Sequence, residues 1–397
     1  MKRSPGGRKP YFPAEGELAL LILKNWSLCS DQRLLEQLNG NLFYQIFCGV
    51  WIDPSAPLGH RQLVSTLRGR YAHKLNLPLF QSILAKNWKG DLSDLSTSVH
   101  DATCYESEVR YPTDVKLLWE SVSWLYPRLV KMYRDQGLHR PRTKYKDWEL
   151  AYRSYRYYRK PPRSERRRIT AGLLRLLGKL LSLLEQVEQT APHVIELGDL
   201  YRIQTLKKVY EQQAYRFVSG ASPKDRIVSL AKDYLRPIIR GKENKPVEFG
   251  AKVNKIQVDG LNFIEHISFD PFHEGIRLKK GIELHHRLFG TQVKRVGADR
   301  IYATNENRSY CTEEGIFNDF IPKGRKAKDE SQRKVLRKAL TKERASRLEG
   351  SFGNEKNAYH LRRIRAKTKE NEILWILLGI HTANAREIAK RRARHPT

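Results

Sequence analysis

Short apolar helices are predicted in the first ninety residues of the chain. Ser30 is placed to cap a helix that ends at Gly40, an apolar stretch follows at 42–51, and a third helical pattern covers 61–75. Several short helices in so few residues suit a DNA-binding or dimerisation module of the helix-turn-helix kind. They suit a helical cap on a larger domain equally well, and the pattern leaves both interpretations open.

At residues 95–110 the spacing of apolar residues changes from the helical repeat to alternation at every second residue. Val99, Asp101 and Thr103 alternate with their neighbours in the sequence, and this alternation predicts a strand. The break at Pro112 ends the strand, and a helical pattern follows it. Asp101 is therefore expected within the first strand of a sheet.

Residues 140–168 combine basic and aromatic side chains, with twelve Lys or Arg and only three acids. Arg153, Arg156 and Arg159 are interleaved here with five tyrosines and a tryptophan. Arginines bind phosphates, and tyrosines stack on unpaired bases. The alternative is a helix with a buried aromatic stripe and a solvated basic face, but the one-sided charge favours nucleic-acid binding.

The most regular helical pattern covers residues 169–189. Five apolar positions, at 173, 177, 180, 184 and 187, follow the four-three spacing of a short coiled-coil seam. Additional leucines widen this apolar stripe, so packing inside a helical bundle is favoured over an isolated zipper. The helical pattern is expected to continue to about Arg236.

Strand-like patterns return after Pro237. Residues 247–258 and 261–264 flank Asp259-Gly260, which predicts a hairpin with an Asp-Gly turn. The pattern then predicts, in order, a helix at 276–289, a strand at 293–298, a helix at 305–314, a strand at 316–321, and a basic helical region at 332–369 interrupted around Gly350 and Gly353. This order fits one α/β domain with a helical insert after its first strand.

The net charge narrows the class of partner. The chain has 397 residues, with 74 Lys plus Arg against 43 Asp plus Glu, a formal net charge of +31. Such a chain requires an anionic partner, most simply nucleic acid. An anionic membrane surface is the competing partner, but there is no lipidation motif, and the longest apolar run, 373–380, is too short to span a membrane.

The chain termini and the cysteines indicate a cytoplasmic protein. Residues 1–13 form a basic arm that lacks the apolar region of a signal peptide. The four cysteines are scattered, which argues for a reducing compartment and against a disulfide framework or a zinc site. We expect a cytoplasmic, nucleoid-associated protein.

Three acidic residues carry the candidate chemistry. Asp101 lies in the first predicted strand, Asp299 follows the strand at 293–298, and Glu349 lies in a basic helical region. Each residue alone is better explained as a turn, cap or salt-bridge residue. Together, two aspartates and a glutamate that converge on one place are able to hold two divalent metal ions for phosphoryl transfer.

The acidic motifs resemble those of the DDE transposases of bacterial insertion sequences, specifically the IS-five-like group. The segment 30–49 is similar to the N-terminal helical domain of that group. The segments 100–114, 297–308 and 347–365 are similar to its three acidic motifs, and 321–324 lies between the last two. The resemblance covers most of the chain, and the order of the motifs makes it specific.

The resemblance implies an α/β fold: an RNase H-like catalytic domain interrupted by a helical insertion, with an N-terminal all-helical domain. The implied boundaries are 1–94 for the N-terminal DNA-binding or dimerisation domain, 95–124 for the first part of the catalytic domain, 125–236 for the basic insertion, and 237–397 for the second part with a basic tail. The implied catalytic and metal-binding triad is Asp101, Asp299 and Glu349, with two Mg²⁺ or Mn²⁺ ions.

The resemblance also implies DNA as the partner, both as terminal inverted repeats and as target, bound by a homodimer. Lys356 lies seven residues after Glu349, as in many relatives, and its ammonium is suited to hold a phosphate. The arginine expected before the glutamate is replaced by Ala345, so Arg344 or Arg347 is expected to contact DNA instead. Two alternatives remain: a nuclease without strand transfer, and a DNA-binding protein that has lost catalysis.

Overall fold

The computed structural model describes residues 11–239, 246–323 and 329–394. Residues 1–10 of the expected basic arm, and Gly324 of the segment between the acidic motifs, lie outside the described residues. The chain divides into two compact units. Unit 1 contains Met1–Glu108 and Gly250–Thr397, and unit 2 contains Val109–Phe249.

Unit 1 begins with five helices. They are α1 (Ala14–Ser27), α2 (Asp31–Gly40), α3 (Leu42–Phe47), α4 (Leu63–Ala72) and α5 (Leu77–Trp88). The Ser30 side chain accepts a hydrogen bond from the Arg33 backbone N–H, which confirms the predicted cap of α2. These helices pack partly on the last helix of the unit, α14 (Lys369–Arg394), where the Arg68 guanidinium lies 4.3 Å from the ring centroid of Trp375.

A mixed sheet forms the centre of unit 1. Its strands are β1 (Thr97–Glu106), β3 (Val247–Val258), β4 (Leu261–Ser268), β5 (Arg295–Ala298) and β6 (Phe317–Asn318), and β2 (Pro237–Ile239) of unit 2 pairs with the first residues of β3. The strand order in unit 1 is β4-β3-β1-β5-β6. β3 is antiparallel to both β1 and β4, whereas β5 and β6 run parallel to β1, so β1 lies in the middle of the sheet between an antiparallel and a parallel neighbour.

The turn between β3 and β4 confirms the predicted Asp-Gly hairpin. Asp259 and Gly260 have φ values of 44° and 84°, as a two-residue turn with positive φ at both positions requires. The strand predicted at 247–258 is one continuous strand, β3, with an irregularity in its pairing to β4 between Asn254 and Lys255.

Helices of unit 1 flank the sheet. They are α10 (Leu278–Phe289), α11 (Asn305–Glu313), α12 (Glu330–Glu343), α13 (Glu349–Ala358) and α14. The prediction that the helical region breaks near Gly350 and Gly353 is wrong, because both glycines lie within α13. A π-helical turn at Arg344–Leu348 joins α12 to α13, and the helix ends at Ala358 rather than near residue 369.

Unit 2 is a helical assembly. It contains α6 (Asp114–Asp135), α7 (Tyr145–Tyr155), α8 (Arg163–Thr190) and α9 (Leu200–Ser219). The predicted apolar stripe of α8 is buried against α6 and α9, as expected for a bundle. Helix α9 ends at Gly220, whose φ of +70° suits a C-cap glycine, so the prediction of helix up to Arg236 is wrong.

Of the remaining secondary-structure predictions, some are confirmed and one is confirmed only in part. The predicted strand at 316–321 is reduced to the two residues of β6, whereas the helices at 276–289 and 305–314 are confirmed as α10 and α11 within a few residues. The domain boundaries inferred from the resemblance stay a prediction. Among the described residues, no helix has the length and apolar character needed to cross a membrane.

Candidate active site

Asp101 lies in the middle of β1, opposite Lys255 of β3 and one residue beyond the last pair with β5, and it is buried. Its carboxylate accepts a hydrogen bond from the Ala102 backbone N–H at 2.7 Å. Burial, with further contributions from the charges of Glu274 and Asp299, raises the pKa of Asp101 to about 6, although the Ala102 N–H and the Arg344 charge oppose this. The side chain is therefore a desolvated carboxylate in an acidic neighbourhood, which a cation would stabilise.

Asp299 comes directly after β5, the parallel neighbour of β1. Ala298 is the register partner of His100, so Asp299 and Asp101 are the next residues on two adjacent strands. The Asp299 side chain is exposed and caps a short 3₁₀ helix by accepting from the Arg300 N–H at 2.6 Å. The two predicted aspartates thus lie at the same level of the sheet, one buried and one open to solvent.

Glu349 is the first residue of α13, and Arg344 connects it to Asp101. The Arg344 Nη1 atom lies 2.7 Å from Glu349 Oε1 and 3.8 Å from Asp101 Oδ2. The π-helical turn that contains Arg344 contacts β1 and so places this guanidinium between the two carboxylates. The first and third predicted acids are therefore within reach of one cationic group.

The donor set suits a hard divalent cation, since it offers carboxylate oxygens only. Within the described residues, no three His, Cys, Asp or Glu side chains lie close enough together to hold one metal ion. The Arg344 guanidinium, which pairs with two of the three acids, takes the place that a cation would take between them. The chemistry of the donors fits Mg²⁺ or Mn²⁺, which prefer oxygen ligands.

Two further acids near the site were not predicted. Asp319 follows β6 as Asp299 follows β5, and it accepts a hydrogen bond from the Ala298 N–H at 3.0 Å. Burial raises the pKa of Asp319, while the Ala298 N–H and the Arg344 charge lower it. Glu274, which pairs with Lys252 at 2.8 Å, is the other acid. Asp319 lies in a predicted strand, as Asp101 does, and this position could have marked it as a candidate site residue. No feature of the sequence around Glu274 marked that residue.

Lys356 points at the same face of β1 as Asp101. Its Nζ atom donates a hydrogen bond to Thr103 Oγ1 at 3.0 Å, and Thr103 is two residues beyond Asp101 on an alternating strand. Arg347 instead pairs with Asp259 at 3.3 Å and with Glu343 at 3.2 Å. Lys356 and Arg344 are thus adjacent to the acidic positions on β1, whereas Arg347 is bound to the hairpin turn.

A buried ion pair lies beside this face. The Lys255 Nζ atom is 2.7 Å from Glu355 Oε2 and 3.0 Å from the Tyr105 hydroxyl, which itself donates to Glu355, and Lys255 and Glu355 are fully buried. Asn262 donates a further hydrogen bond to Glu355 at 2.7 Å. Glu355 is held in this network, so Glu349 is the glutamate of α13 that remains available to a substrate.

The predicted basic-aromatic segment lies in unit 2 and has two parts. Within α7 the aromatic residues are packed: Tyr145 stacks on Tyr126 at a centroid distance of 3.9 Å, and Tyr152 stacks on Trp119 at 4.8 Å. These rings are half-buried, so they form a packed aromatic stripe like that of the alternative interpretation, without full burial. After α7, Tyr157 and Tyr158 are exposed, so stacking on bases is open to them. Arg153, Arg156 and Arg159 are all exposed, and Arg153 pairs with Glu149 at 3.5 Å.

One protein-family model matches part of the chain. A model described as a transposase DDE domain matches residues 296–383. This segment contains Asp299, Glu349 and Lys356, and Asp101 precedes it. Searches of curated proteins and of solved structures gave no significant match. The family match supports a DDE transposase, and the mixed α/β sheet is consistent with its expected fold.

Proposed function

We propose that this chain is a DNA transposase of the IS-five-like group with an RNase H-like catalytic domain. It binds terminal inverted repeats, cuts at the ends of the element and joins those ends to target DNA, acting as a homodimer on double-stranded DNA. The observation that carries the proposal is the position of Asp101 and Asp299, each directly after one member of the His100–Ala298 register pair of adjacent parallel strands. Glu349 is linked to Asp101 through Arg344, and residues 296–383 match a transposase DDE domain.

Asp101, Asp299 and Glu349 are the residues proposed to hold two Mg²⁺ or Mn²⁺ ions. Such ions, when bound, activate the attacking oxygen and stabilise the leaving oxygen of a phosphodiester. The sheet fixes Asp101, while Asp299 and Glu349 lie nearer to solvent, where a DNA strand has access. In this proposal the buried Asp101 carboxylate is held in one position by the sheet. The more accessible carboxylates of Asp299 and Glu349 complete the set of metal ligands.

Arg344 and Lys356 are proposed to bind DNA phosphates at this site. Arg344 neutralises Asp101 and Glu349 before substrate binds, and its planar guanidinium matches a phosphate once those acids have another counter-ion. Lys356, two turns after Glu349, holds a terminal phosphate as a point charge. Arg347, Arg153, Arg156 and Arg159 are proposed as further contacts to the DNA backbone.

The test is a cleavage and strand-transfer assay. The purified chain, Mg²⁺ and labelled duplexes copied from the DNA that borders the coding sequence are incubated, beside Asp101→Asn and the surface control Glu36→Gln. We expect metal-dependent nicks and joined products from the wild type and from Glu36→Gln, and none from Asp101→Asn.

Other outcomes select the alternatives. Cleavage without joining of a pre-cut end would indicate a nuclease on the same scaffold. Tight DNA binding with no metal-dependent product from any of the three proteins would indicate a DNA-binding protein that has lost catalysis. Equal cleavage by the wild type and Asp101→Asn would remove Asp101 from the site.

A further inference from the structure

Unit 2 contains a cavity that the catalytic proposal does not use. Its volume is about 950 Å³, and residues between Arg110 and Phe249 line it. The walls come from the segment that precedes α6, from α6 itself, from the end of α7 and the residues after it, from α8 and α9, and from residues of β2 and the start of β3. This volume lies within the range of roughly 300–1,000 Å³ that ligand-binding pockets occupy.

The cavity carries a large excess of positive charge. Among the residues that the structure describes, seven Lys or Arg line it against two acids, Asp114 and Glu120. Asp114 is already paired, with Arg216 at 3.0 Å and Arg226 at 2.9 Å, and Glu120 lies 3.7 Å from Lys116.

Four other arginines of the lining have no such compensation: within the described part of the chain, no carboxylate forms an ion pair with Arg110, Arg156, Arg159 or Arg166. Uncompensated guanidinium groups around one concave space favour a phosphate there.

Aromatic rings form another part of the same walls. Trp119 and Tyr152 are stacked on each other with an interplanar angle of 18°. Tyr158 and Tyr111 also line the cavity, and they are 51% and 71% exposed. Tyr111 is held edge-on to Phe249 at a centroid distance of 5.8 Å. Exposed ring faces beside arginines are suited to stack on a base whose phosphate the arginines hold.

We propose that this cavity binds an unpaired nucleotide of the DNA substrate. Arg156 and Arg159 hold its phosphate, and Tyr158 and Tyr111 stack on its base. The bases of a duplex are stacked on one another and cannot enter a recess, whereas an extruded or single-stranded nucleotide can. The inference rests on the proposed function only for the identity of the substrate as DNA, since the cavity lies within unit 2.

The test measures binding of labelled 15-nucleotide strands to the full-length chain in EDTA by fluorescence anisotropy. Three probes of equal length are compared: a base-bearing single strand, a strand with abasic sites at every position, and a blunt duplex. We expect the wild type to bind the base-bearing strand more tightly than the abasic strand, because both have the same phosphates and only one has bases.

Matched variants assign the effect to the cavity. Tyr158→Ala is expected to weaken binding of the base-bearing strand by about fivefold or more, from the usual contribution of one stacked base, and to leave the abasic strand unchanged. Tyr157→Ala is the control, because Tyr157 is 90% exposed and is not among the described residues that line the cavity.

A second pair of variants tests the phosphate contact. Arg159→Ala is expected to weaken binding of both strands more than Lys160→Ala does, since Lys160 is likewise outside the described lining. Tyr111→Ala serves as a second stacking variant at an exposed position.

Equal affinities for the base-bearing and abasic strands, or equal losses from Tyr157→Ala and Tyr158→Ala, would overturn the proposal. A preference for the duplex that Tyr158→Ala does not alter would mean that the cavity binds backbone phosphates only, and would also overturn it. The cleavage assay separates the two proposals. Metal-dependent cleavage with no selective effect of Tyr158→Ala would support the proposed transposase and reject the nucleotide site. A selective effect of Tyr158→Ala without cleavage would support the nucleotide site and reject the proposed transposase.

Discussion

The two units of the chain are stabilised by different interactions. In unit 2, α6, α8 and α9 meet through a hydrocarbon core in which Leu118, Leu125, Leu173, Leu177, Leu180 and Leu206 are fully buried or nearly so. In unit 1, the sheet buries polar groups in hydrogen-bonded networks, such as Lys255 with Glu355 and Tyr105, and His381 with Gln81 and Asn384. Unit 1 thus combines hydrophobic clusters, such as the one around Phe263 and Leu288, with buried polar networks, whereas the core of unit 2 is mainly hydrocarbon.

This difference suits the tasks proposed for the two units. Phosphoryl transfer needs carboxylates at fixed positions, and hydrogen bonds with specific partners fix positions more strictly than leucine packing does. A surface that holds DNA through many phosphates tolerates small displacements, since charge acts over several ångströms. Substitutions in the two units should therefore have effects that differ in kind, and four predictions test this expectation.

The largest expected effect is on catalysis in unit 1. Asp299→Asn and Glu349→Gln each replace a carboxylate proposed as a metal ligand by a neutral amide of the same shape, so we expect cleavage to fall below detection while DNA affinity stays nearly constant. Arg156→Ala in unit 2 should do the reverse, with weaker binding but normal cleavage at saturating DNA. Anisotropy and cleavage measured on the same preparations check both halves. Near-normal cleavage by either carboxylate variant removes that residue from the site.

The second effect concerns the buried ion pair of unit 1. Lys255→Met fills the volume of the side chain but leaves Glu355 buried without its cation, so we expect the free energy of unfolding to fall by about 3–5 kcal/mol. Urea denaturation followed by circular dichroism measures this change. The double variant Lys255→Met/Glu355→Leu is the control, because it removes both charges and should recover much of the loss. A single variant as stable as the wild type would show that the pair contributes little.

Local patterns predicted many of the elements but not this network. The cap at Ser30, the Asp-Gly hairpin and the strand around Asp101 were predictable, because each depends on residues close in sequence. The pair of Lys255 and Glu355 was not, because its partners are 100 residues apart and charged residues are usually exposed.

The errors have physical causes too. Gly350 and Gly353 cost about 1 kcal/mol each in a helix, a local penalty that contacts of α13 with β1 and α14 offset. The three proposed catalytic acids were identified from motifs in order. The position of Arg344 between two of them depends on a π-helical turn, which has no clear sequence signature.

The third effect is a pH dependence located in unit 1. Burial, with the nearby charge of Lys255, lowers the pKa of His381 to about 3 from an ordinary value of 6.5. Below pH 6.5 His381 is protonated in the unfolded chain but stays neutral in the folded chain. The free energy of unfolding therefore decreases as the pH falls from 6.5 towards 3. At pH 5 this residue should account for a loss of about 2 kcal/mol, from about 1.4 kcal/mol for each pH unit.

Replacement of His381 isolates its contribution from that of other histidines. His381→Phe should show a smaller loss of unfolding free energy between pH 7 and pH 5 than the wild type. His139→Phe, at an exposed histidine of unit 2, is the matched control and should keep the wild-type slope. Urea denaturation at the two pH values measures the slopes. Identical slopes for the wild type and His381→Phe would contradict the assignment.

The smallest expected effect is in the core of unit 2, and it is the sharpest test of the comparison. Leu177 is fully buried in α8, and Leu177→Met keeps the apolar character and nearly the same volume, so we expect a loss below about 1.5 kcal/mol. Leu177→Ala should cost about 2–5 kcal/mol through the cavity that it leaves, which shows that the position itself matters. Lys255→Met introduces the same residue type at an equally buried position of unit 1. If urea denaturation gives Leu177→Met and Lys255→Met equal losses, directional bonding does not distinguish the two interiors. A clearly larger loss of unfolding free energy for Lys255→Met would mean that this position in unit 1 depends on a specific hydrogen-bonded partner. The position of Leu177 in unit 2 would then depend only on apolar packing of the right volume.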